Sequence, residues 1–180
     1  KELQKAASNI PNQPSGYFLN SLLDIIKRLP PSYFAMVMAT GIVSIACNLL
    51  GMPLIGLVLF WLNIFAYLIL CVAFSLRFYL FRKEFLSDLF DHARGPGFFT
   101  TVAATCVLGA QFVALCDNYE VAALLWLIGI FLWLIITYVI FTTLTIKENK
   151  PTLAEGINGA WLLAVVSTQA LAVLSARLSM

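Results

Sequence analysis

Residues 121–143 read VAALLWLIGIFLWLIITYVIFTT, and no Asp, Glu, Lys, Arg or His interrupts them. An α-helix rises about 1.5 Å per residue, so a run of this length crosses the roughly 30 Å hydrocarbon core of a bilayer. The strands of a membrane barrel would alternate apolar and polar residues, which this run does not do. The stretch therefore predicts a membrane-spanning α-helix over Val121–Thr143.

The rest of the chain has the same character. Hydrophobic residues make up 61% of the 180 residues and charged residues 11%, and the mean hydropathy is +0.91. A soluble domain is nearer half apolar and a quarter charged. We therefore predict an all-α integral membrane protein with five transmembrane helices joined as hairpins, in a transmembrane domain over residues 32–180. The other four predicted spans are Tyr33–Leu50, Leu54–Leu76, Phe98–Leu115 and Asn158–Ala176.

The basic residues fall almost entirely on one side of these spans. Four basic residues precede the first span, four lie between the second and third spans, and two lie between the fourth and fifth. Ten of the eleven therefore lie on the same side of the membrane, and Arg177, after the fifth span, lies on the other. Cytoplasmic connections carry such an excess of Lys and Arg, so the distribution predicts a multi-pass protein with a cytoplasmic N-terminus. The ten are Lys1, Lys5, Lys27, Arg28, Arg77, Arg82, Lys83, Arg94, Lys147 and Lys150.

Residues 1–31 are predicted to form a cytoplasmic tail. Within the tail, Tyr17–Leu29 places apolar side chains on one helical face and polar side chains on the other. That pattern predicts an amphipathic helix that lies on the membrane surface or, alternatively, packs on the protein itself. A second short surface helix is predicted within residues 82–97. The chain begins with Lys1 rather than Met, which is an indication that it is a fragment.

The five predicted spans alternate in side-chain size. Gly, Ala, Ser, Thr and Cys supply nine of eighteen residues in the third span but five of twenty-three in the second. The first and fifth spans resemble the third, and the aromatic-rich fourth resembles the second. Because small residues let helices approach closely or leave room for a pathway, we predict that odd-numbered spans form an inner layer and even-numbered spans an outer layer. Three inner helices would close a ring poorly, so further C-terminal hairpins or another chain are expected.

Small and polar residues on the odd spans are candidates for lining a pathway. Thr101, Thr105 and Gly109 recur at four-residue spacing on the third span, and Thr168 and Gln169 adjoin each other on the fifth. Such stripes also serve as packing seams between helices, and that alternative stays open. The stripe on the fifth span comprises Gly156, Ala160, Ala164, Thr168, Ala172 and Ala176.

The polar residues inside the predicted spans are few and uncharged. Asn63 and Gln111 are expected to pair with another helix, because an unpaired amide in the membrane is costly. Proton-coupled carriers usually place Asp, Glu or His there, so a passive pore is favoured over a proton-driven pump. The sequence has no G-x-S-x-G, H-E-x-x-H or C-x-x-C motif, and His92 is interpreted as a solvated loop residue. We therefore predict no enzyme activity, metal or cofactor.

Three stretches resemble the tellurite-resistance/C4-dicarboxylate transporter family, which includes the plant slow anion channels. The resemblance covers nearly the whole chain after residue 25. The stretches are Pro30–Met36 with Gly41, Arg94–Thr101 with Leu108 and Gly109, and Lys150–Trp161.

The family resemblance implies ten spanning helices in five hairpins, with odd helices around a pore, even helices outside and three subunits per assembly. This chain would supply the first five helices, half of that pseudo-five-fold channel. The family's pore-blocking phenylalanine comes from the ninth helix, so no residue here inherits that role. The resemblance also implies the bacterial inner membrane as the location.

The predicted topology adds a physical argument for anions. Every odd span begins on the basic side, and the N-terminus of a helix carries roughly half a positive charge. Arg94 precedes Gly-Pro-Gly at the start of the third span, so it is a candidate residue of the pore mouth. The excess of basic residues on cytoplasmic connections would also place an arginine there, and both explanations stay open.

Together these features predict transport of small anions by a channel or exporter. By resemblance, the expected substrates are sulfite, anions related to tellurite resistance, and dicarboxylates such as malate. The expected partners are these anions, the lipid bilayer and further copies of the chain, with no nucleic acid. A proton-coupled dicarboxylate carrier, an integral membrane enzyme and a sensor or scaffold are the alternatives.

Overall fold

The computed structural model describes residues 14–146 and 159–179, and the side chains of residues 14–20 and 144 are not described. Helices and short connections account for these residues, and no strand occurs among them. Five helical segments are long and apolar enough to cross a membrane, which confirms the predicted fold class. They are Pro31–Leu49, Pro53–Leu80, Gly95–Cys116, Tyr119–Thr143 and Gly159–Leu178, called here the first to fifth spans.

Two tight turns join the spans into hairpins at the end of the bundle away from residues 82–97. Gly51 adopts a φ of +80° after the first span, and Pro53 opens the second, where its missing N–H costs no hydrogen bond. Asp117 ends the third span with a φ of +50°, and the side chain of Asn118 accepts a hydrogen bond of 3.0 Å from the backbone N–H of Val121. Helix-ending and helix-starting residues thus lie next to each other in both turns.

The third span is the centre of the bundle. Of its most apolar stretch 78% is buried, compared with 17–22% for the other four spans. The first and fifth spans both pack extensively along it, while the second packs mainly on the first and the fourth mainly on the third. The odd spans therefore form one row and the bulky even spans a second, as predicted from side-chain size.

Small residues explain why the odd spans lie so close together. A Cβ atom on Gly41 of the first span would lie 2.5 Å from Cγ1 of Val107, and one on Gly109 would lie 2.7 Å from Cδ2 of Leu174 on the fifth span. Real Cβ atoms do not approach other heavy atoms to such distances. A Cβ at either position would therefore force a neighbouring side chain to shift, and glycine lets the third span keep its close contacts with both neighbours.

Two helices lie outside the five spans. The N-terminal helix, Pro14–Arg28, occupies the segment predicted to be amphipathic, and Leu22 and Ile25 are exposed on it. The connecting helix, Arg82–Leu89, joins the second and third spans. The predictions for residues 1–13 and for the connection 147–158, which includes Gly156, lie outside the described residues.

Candidate functional site

The three odd spans begin with short 3-10 turns that lie side by side. These turns are Pro31–Tyr33, Gly95–Phe98 and Gly159–Trp161, and the middle one contacts both others. The hydroxyl of Thr100, in the first turn of the third helix, lies 2.8 Å from the Pro31 carbonyl oxygen and 2.7 Å from the Gly97 carbonyl oxygen, so its single proton is shared between the first two turns. The N-terminal ends of the odd helices therefore converge, and each such end carries a partial positive charge.

A buried carboxylate links two arginines at this same end. Asp88, on the connecting helix, accepts a hydrogen bond of 2.5 Å from Nη2 of Arg77 and one of 2.8 Å from Nη1 of Arg94. The Arg77 side chain is 2% exposed and that of Asp88 10%, whereas the side chain of Arg94 is 66% exposed. The buried arginine is therefore charge-compensated, and Arg94 extends toward solvent.

The same cluster holds the N-terminal helix in place. Nε of Arg77 donates a hydrogen bond of 3.1 Å to the backbone carbonyl of Lys27, and the Lys27 ammonium lies 3.3 Å from Oε1 of Glu84. A hydrogen bond with its own backbone N–H, and then the interaction with Lys27, holds the pKa of the Glu84 carboxyl below its ordinary value. The connecting helix thus contacts both the second span and the N-terminal helix through charged groups.

Inside the bundle, two amides pair across spans. Nδ2 of Asn63 donates a hydrogen bond of 2.6 Å to Oε1 of Gln111, and both side chains are fully buried. Each of these amides therefore has the expected partner on another helix, while Oδ1 of Asn63 and Nε2 of Gln111 are buried without a hydrogen-bond partner among the described residues. In the first hairpin, the Ser44 hydroxyl donates to the Gly56 carbonyl oxygen over 2.7 Å.

Comparison with known proteins now identifies the family. The family model described as SLAC1, voltage-dependent anion channel, matches residues 28–180, which is more than half of the chain. The chain belongs to this anion channel family. Two uncharacterized transporters of Methanocaldococcus jannaschii are similar to it: MJ0576 is 34% identical over 151 residues and MJ0762 is 29% identical over 146.

The aligned regions cover 78% and 76% of this chain but 42% and 41% of the two relatives, so the chain spans about two fifths of their length. No solved structure matches the chain. The resemblance to slow anion channels inferred from three sequence stretches is therefore confirmed, as is the partial coverage of the family's length.

In this SLAC1-family chain, Thr101 and Thr105 face the even spans. Both side chains are buried and adjoin a cleft of about 400 Å³ that the second, third and fourth spans line. The Thr105 hydroxyl donates to the Thr101 carbonyl oxygen over 2.7 Å, so the Tyr67 hydroxyl, 2.8 Å away, is the donor to Thr105. Thr105 thus joins the third span to the second, whereas the Thr101 hydroxyl donates to the Phe98 carbonyl oxygen of its own span.

The other predicted site residues lie in three separate places. Gly109 packs against Leu174, at the contact of the third and fifth spans. Thr168 accepts a hydrogen bond of 3.0 Å from Nε1 of Trp133 on the fourth span, and Gln169 beside it is exposed. Arg94 lies at the basic end of the bundle. The structure therefore does not bring the six candidates together in one site.

Arg77 and Asp88 are the site residues that the sequence analysis missed. The second span was predicted to end at Leu76, which placed Arg77 in a polar connection, but its helix continues to Leu80 and buries the guanidinium. Asp88 is fully engaged by the two arginines, and Oδ1 of Asp91 accepts the backbone N–H groups of Ala93 and Arg94. The sequence signal that could have identified this site is the position of Arg77, a charged residue directly after a long apolar run.

Proposed function

We propose that this chain forms part of a channel or exporter that moves small anions across the membrane. The observation that carries the proposal is the convergence of the three 3-10 turns that open the odd spans. Partial positive charges at helix N-termini favour anions, and membrane transporters direct such ends at anionic substrates. Membership of the anion channel family and the similarity to two transporters support the same function.

The pathway that we propose runs along the row of odd spans, with Arg94 at its mouth. Ala35, Ala39 and Ala46 are exposed on one face of the first span, and such small side chains leave room for an ion. We add these alanines to Gln169 as candidate lining residues. Thr101 and Thr105 have a packing role in this proposal, because the Thr101 hydroxyl bonds to the Phe98 carbonyl oxygen and the Thr105 hydroxyl to Tyr67.

We further propose that the basic end faces the cytoplasm, in the plasma membrane, which in a bacterium is the inner membrane. The excess of Lys and Arg at that end supports this orientation. Association of three copies is proposed from the family resemblance. The proposed substrates are sulfite, anions related to tellurite resistance, and dicarboxylates such as malate.

The five spans predicted from the sequence contain no Asp, Glu, Lys, Arg or His, which supports an anion pore over a proton-coupled carrier. Arg77 lies in the last turn of the helix that forms the second span, and it is bonded to Asp88 and to a backbone carbonyl. A carrier that couples to protons needs a group that gains and loses a proton during transport, whereas a guanidinium stays charged.

Reversal potentials test the proposed function directly. The full-length protein is reconstituted in liposomes under a gradient of potassium malate or potassium chloride, and an anion pathway should drive the reversal potential toward the anion equilibrium value. Cation selectivity would contradict the proposal. Arg94→Gln should reduce anion flux at about 10 mM salt and less at about 150 mM, where the Debye length falls from about 30 Å to 8 Å.

Arg82→Gln is the matched control for Arg94→Gln, because it removes the same charge from an exposed side chain that stacks over Phe78, 5.2 Å from the ring centroid. Equal effects of the two substitutions would show that Arg94 acts only through the general surface charge. In that case anion transport stands and the role of Arg94 at the mouth does not.

Cysteine labelling tests the orientation. Single cysteines replace Ser87 and Asn118, both exposed and at opposite ends of the bundle, in a background without the four native cysteines. An impermeant maleimide applied to intact cells should label position 118 and not position 87. Labelling of position 87 alone would reverse the proposed orientation.

A further inference from the structure

A cavity of about 600 Å³ opens at the basic end, between the N-terminal helix, the end of the second span and the connecting helix. We call it the basic cavity. Its charged lining consists of Lys27, Arg28, Arg77, Lys83 and Arg94 with Glu84 and Asp88. Basic side chains thus outnumber carboxylates by three.

The carboxylates of the basic cavity are already engaged. Glu84 pairs with Lys27, and Asp88 pairs with both Arg77 and Arg94. Within residues 14–146 and 159–179, no carboxylate lies within ion-pair distance of Arg28 or Lys83. The positive excess is therefore not neutralised by the described part of the protein.

Arg77, one of the residues that line the basic cavity, has a buried donor without a partner among the described residues. Nε of Arg77 donates to the Lys27 carbonyl and Nη2 to Asp88, while Nη1 is buried and has no hydrogen-bond acceptor among the described residues. The guanidinium is 2% exposed, so its position is fixed by the surrounding helices. A buried N–H group without an acceptor is uncommon in folded proteins and indicates a missing acceptor.

We propose that the basic cavity binds a phosphate group, either the headgroup phosphate of an anionic lipid or free inorganic phosphate. A planar guanidinium matches the oxygens of a phosphate group, and Lys83 and Arg28 add charge without losing an existing partner. Exposed Leu22 and Ile25 on the adjoining N-terminal helix suit the level of the lipid headgroups. Basic pockets on the cytoplasmic side of membrane proteins bind such headgroups.

This inference does not depend on the proposed transport function, because the lining comes from the second span and the two outer helices rather than from the row of odd spans. Arg94 is the residue that the two proposals share. A bound phosphate would accept a hydrogen bond from Nη1 of Arg77 and would join the N-terminal helix more firmly to the connecting helix.

Lipid binding to the purified full-length protein tests the inference. Native mass spectrometry compares phosphatidylglycerol with phosphatidylcholine, for the parent protein and for the double variant Arg28→Gln, Lys83→Gln. Each basic residue near an anionic headgroup contributes about 1 kcal/mol, so the double variant should bind phosphatidylglycerol about 25-fold more weakly. The matched control, Arg82→Gln with Arg177→Gln, removes the same charge outside the basic cavity and should change binding less than twofold.

Competition with inorganic phosphate identifies the source of the phosphate group. Phosphate and chloride are added at equal ionic strength to the protein with bound phosphatidylglycerol. If neither anion displaces the lipid, the cavity is a lipid site. If phosphate displaces it and chloride does not, the cavity is a site for the free anion. Both results support the inference. Equal binding of the two lipids together with no phosphate-specific displacement, or equal losses in the cavity variant and the control, would overturn it.

Discussion

Replacing Asp88 with Asn should destabilise the protein more than any other single removal of a carboxylate in the connecting helix. The substitution keeps the shape of the side chain and removes the charge that lies between Arg77 and Arg94. Because the Arg77 side chain is 2% exposed, water compensates poorly for the lost carboxylate. The guanidinium would then be a buried charge without compensation.

The magnitude follows from the exposure of each partner. Breaking a buried ion pair by removing one member costs about 3–5 kcal/mol. The contact with Arg94 adds at most about 1 kcal/mol, because that side chain is 66% exposed and water screens it. We therefore expect Asp88→Asn to lower the free energy of unfolding by about 3–5 kcal/mol.

Glu84→Gln is the matched control, on the same helix and one turn away. Its ion pair with Lys27 joins side chains that are 42% and 44% exposed, so water screens the pair and its loss should cost much less than the loss of Asp88. Equilibrium unfolding in mixed detergent micelles with increasing dodecyl sulfate, followed by tryptophan fluorescence, gives both free energies.

The double variant Arg77→Met, Asp88→Leu separates charge from packing. Buried ion pairs replaced together by apolar residues often leave stability unchanged, so the double variant should be more stable than Asp88→Asn alone. The reasoning fails if Asp88→Asn costs no more than Glu84→Gln, or if the double variant is the least stable of the three.

Two further predictions concern the contacts of the third span. Gly109→Leu should lower the free energy of unfolding by about 1–3 kcal/mol, because even a Cβ at this position would lie 2.7 Å from Leu174. The control Gly159→Leu has open space around it and should change the free energy of unfolding by about 0.5 kcal/mol or less. Equal costs of the two substitutions in the same unfolding assay would contradict the packing described. Leucine substitutions at Asn63 and Gln111, alone and together, should reveal a coupling energy of about 0.6–1.7 kcal/mol for their hydrogen bond. Strictly additive effects would rule out that interaction.

The sequence predicts the spans and their two layers because both depend on composition within one helix. A run such as Val121–Thr143 has no alternative outside a membrane, and the small residues of the third span suit close contact on several sides. That span is indeed the most buried of the five. Composition does not, however, fix the rotation of a helix about its axis.

Rotation decides which residues meet, and there the sequence analysis could not reach. Thr101 and Thr105 are small and polar at regular spacing, which fits a pathway as well as a seam between helices, and only the packed structure shows that both adjoin the cleft that Tyr67 lines. Pairing of Asn63 with Gln111 likewise depends on the register of two separate spans. The role of Arg77 depends on three elements at once, so no local pattern predicts it.

The amide pair has a consequence for how the protein is made. Asn63 and Gln111 are 48 residues apart in the chain, and ribosomes add about 5–20 residues per second. During synthesis, the second span therefore exists for about 2–10 s before its hydrogen-bond partner has emerged. Throughout that interval the amide of Asn63 faces lipid, the insertion machinery or the first span. A defective third span would leave this amide without its partner after the interval has passed, and quality control could recognise the chain by that exposed amide.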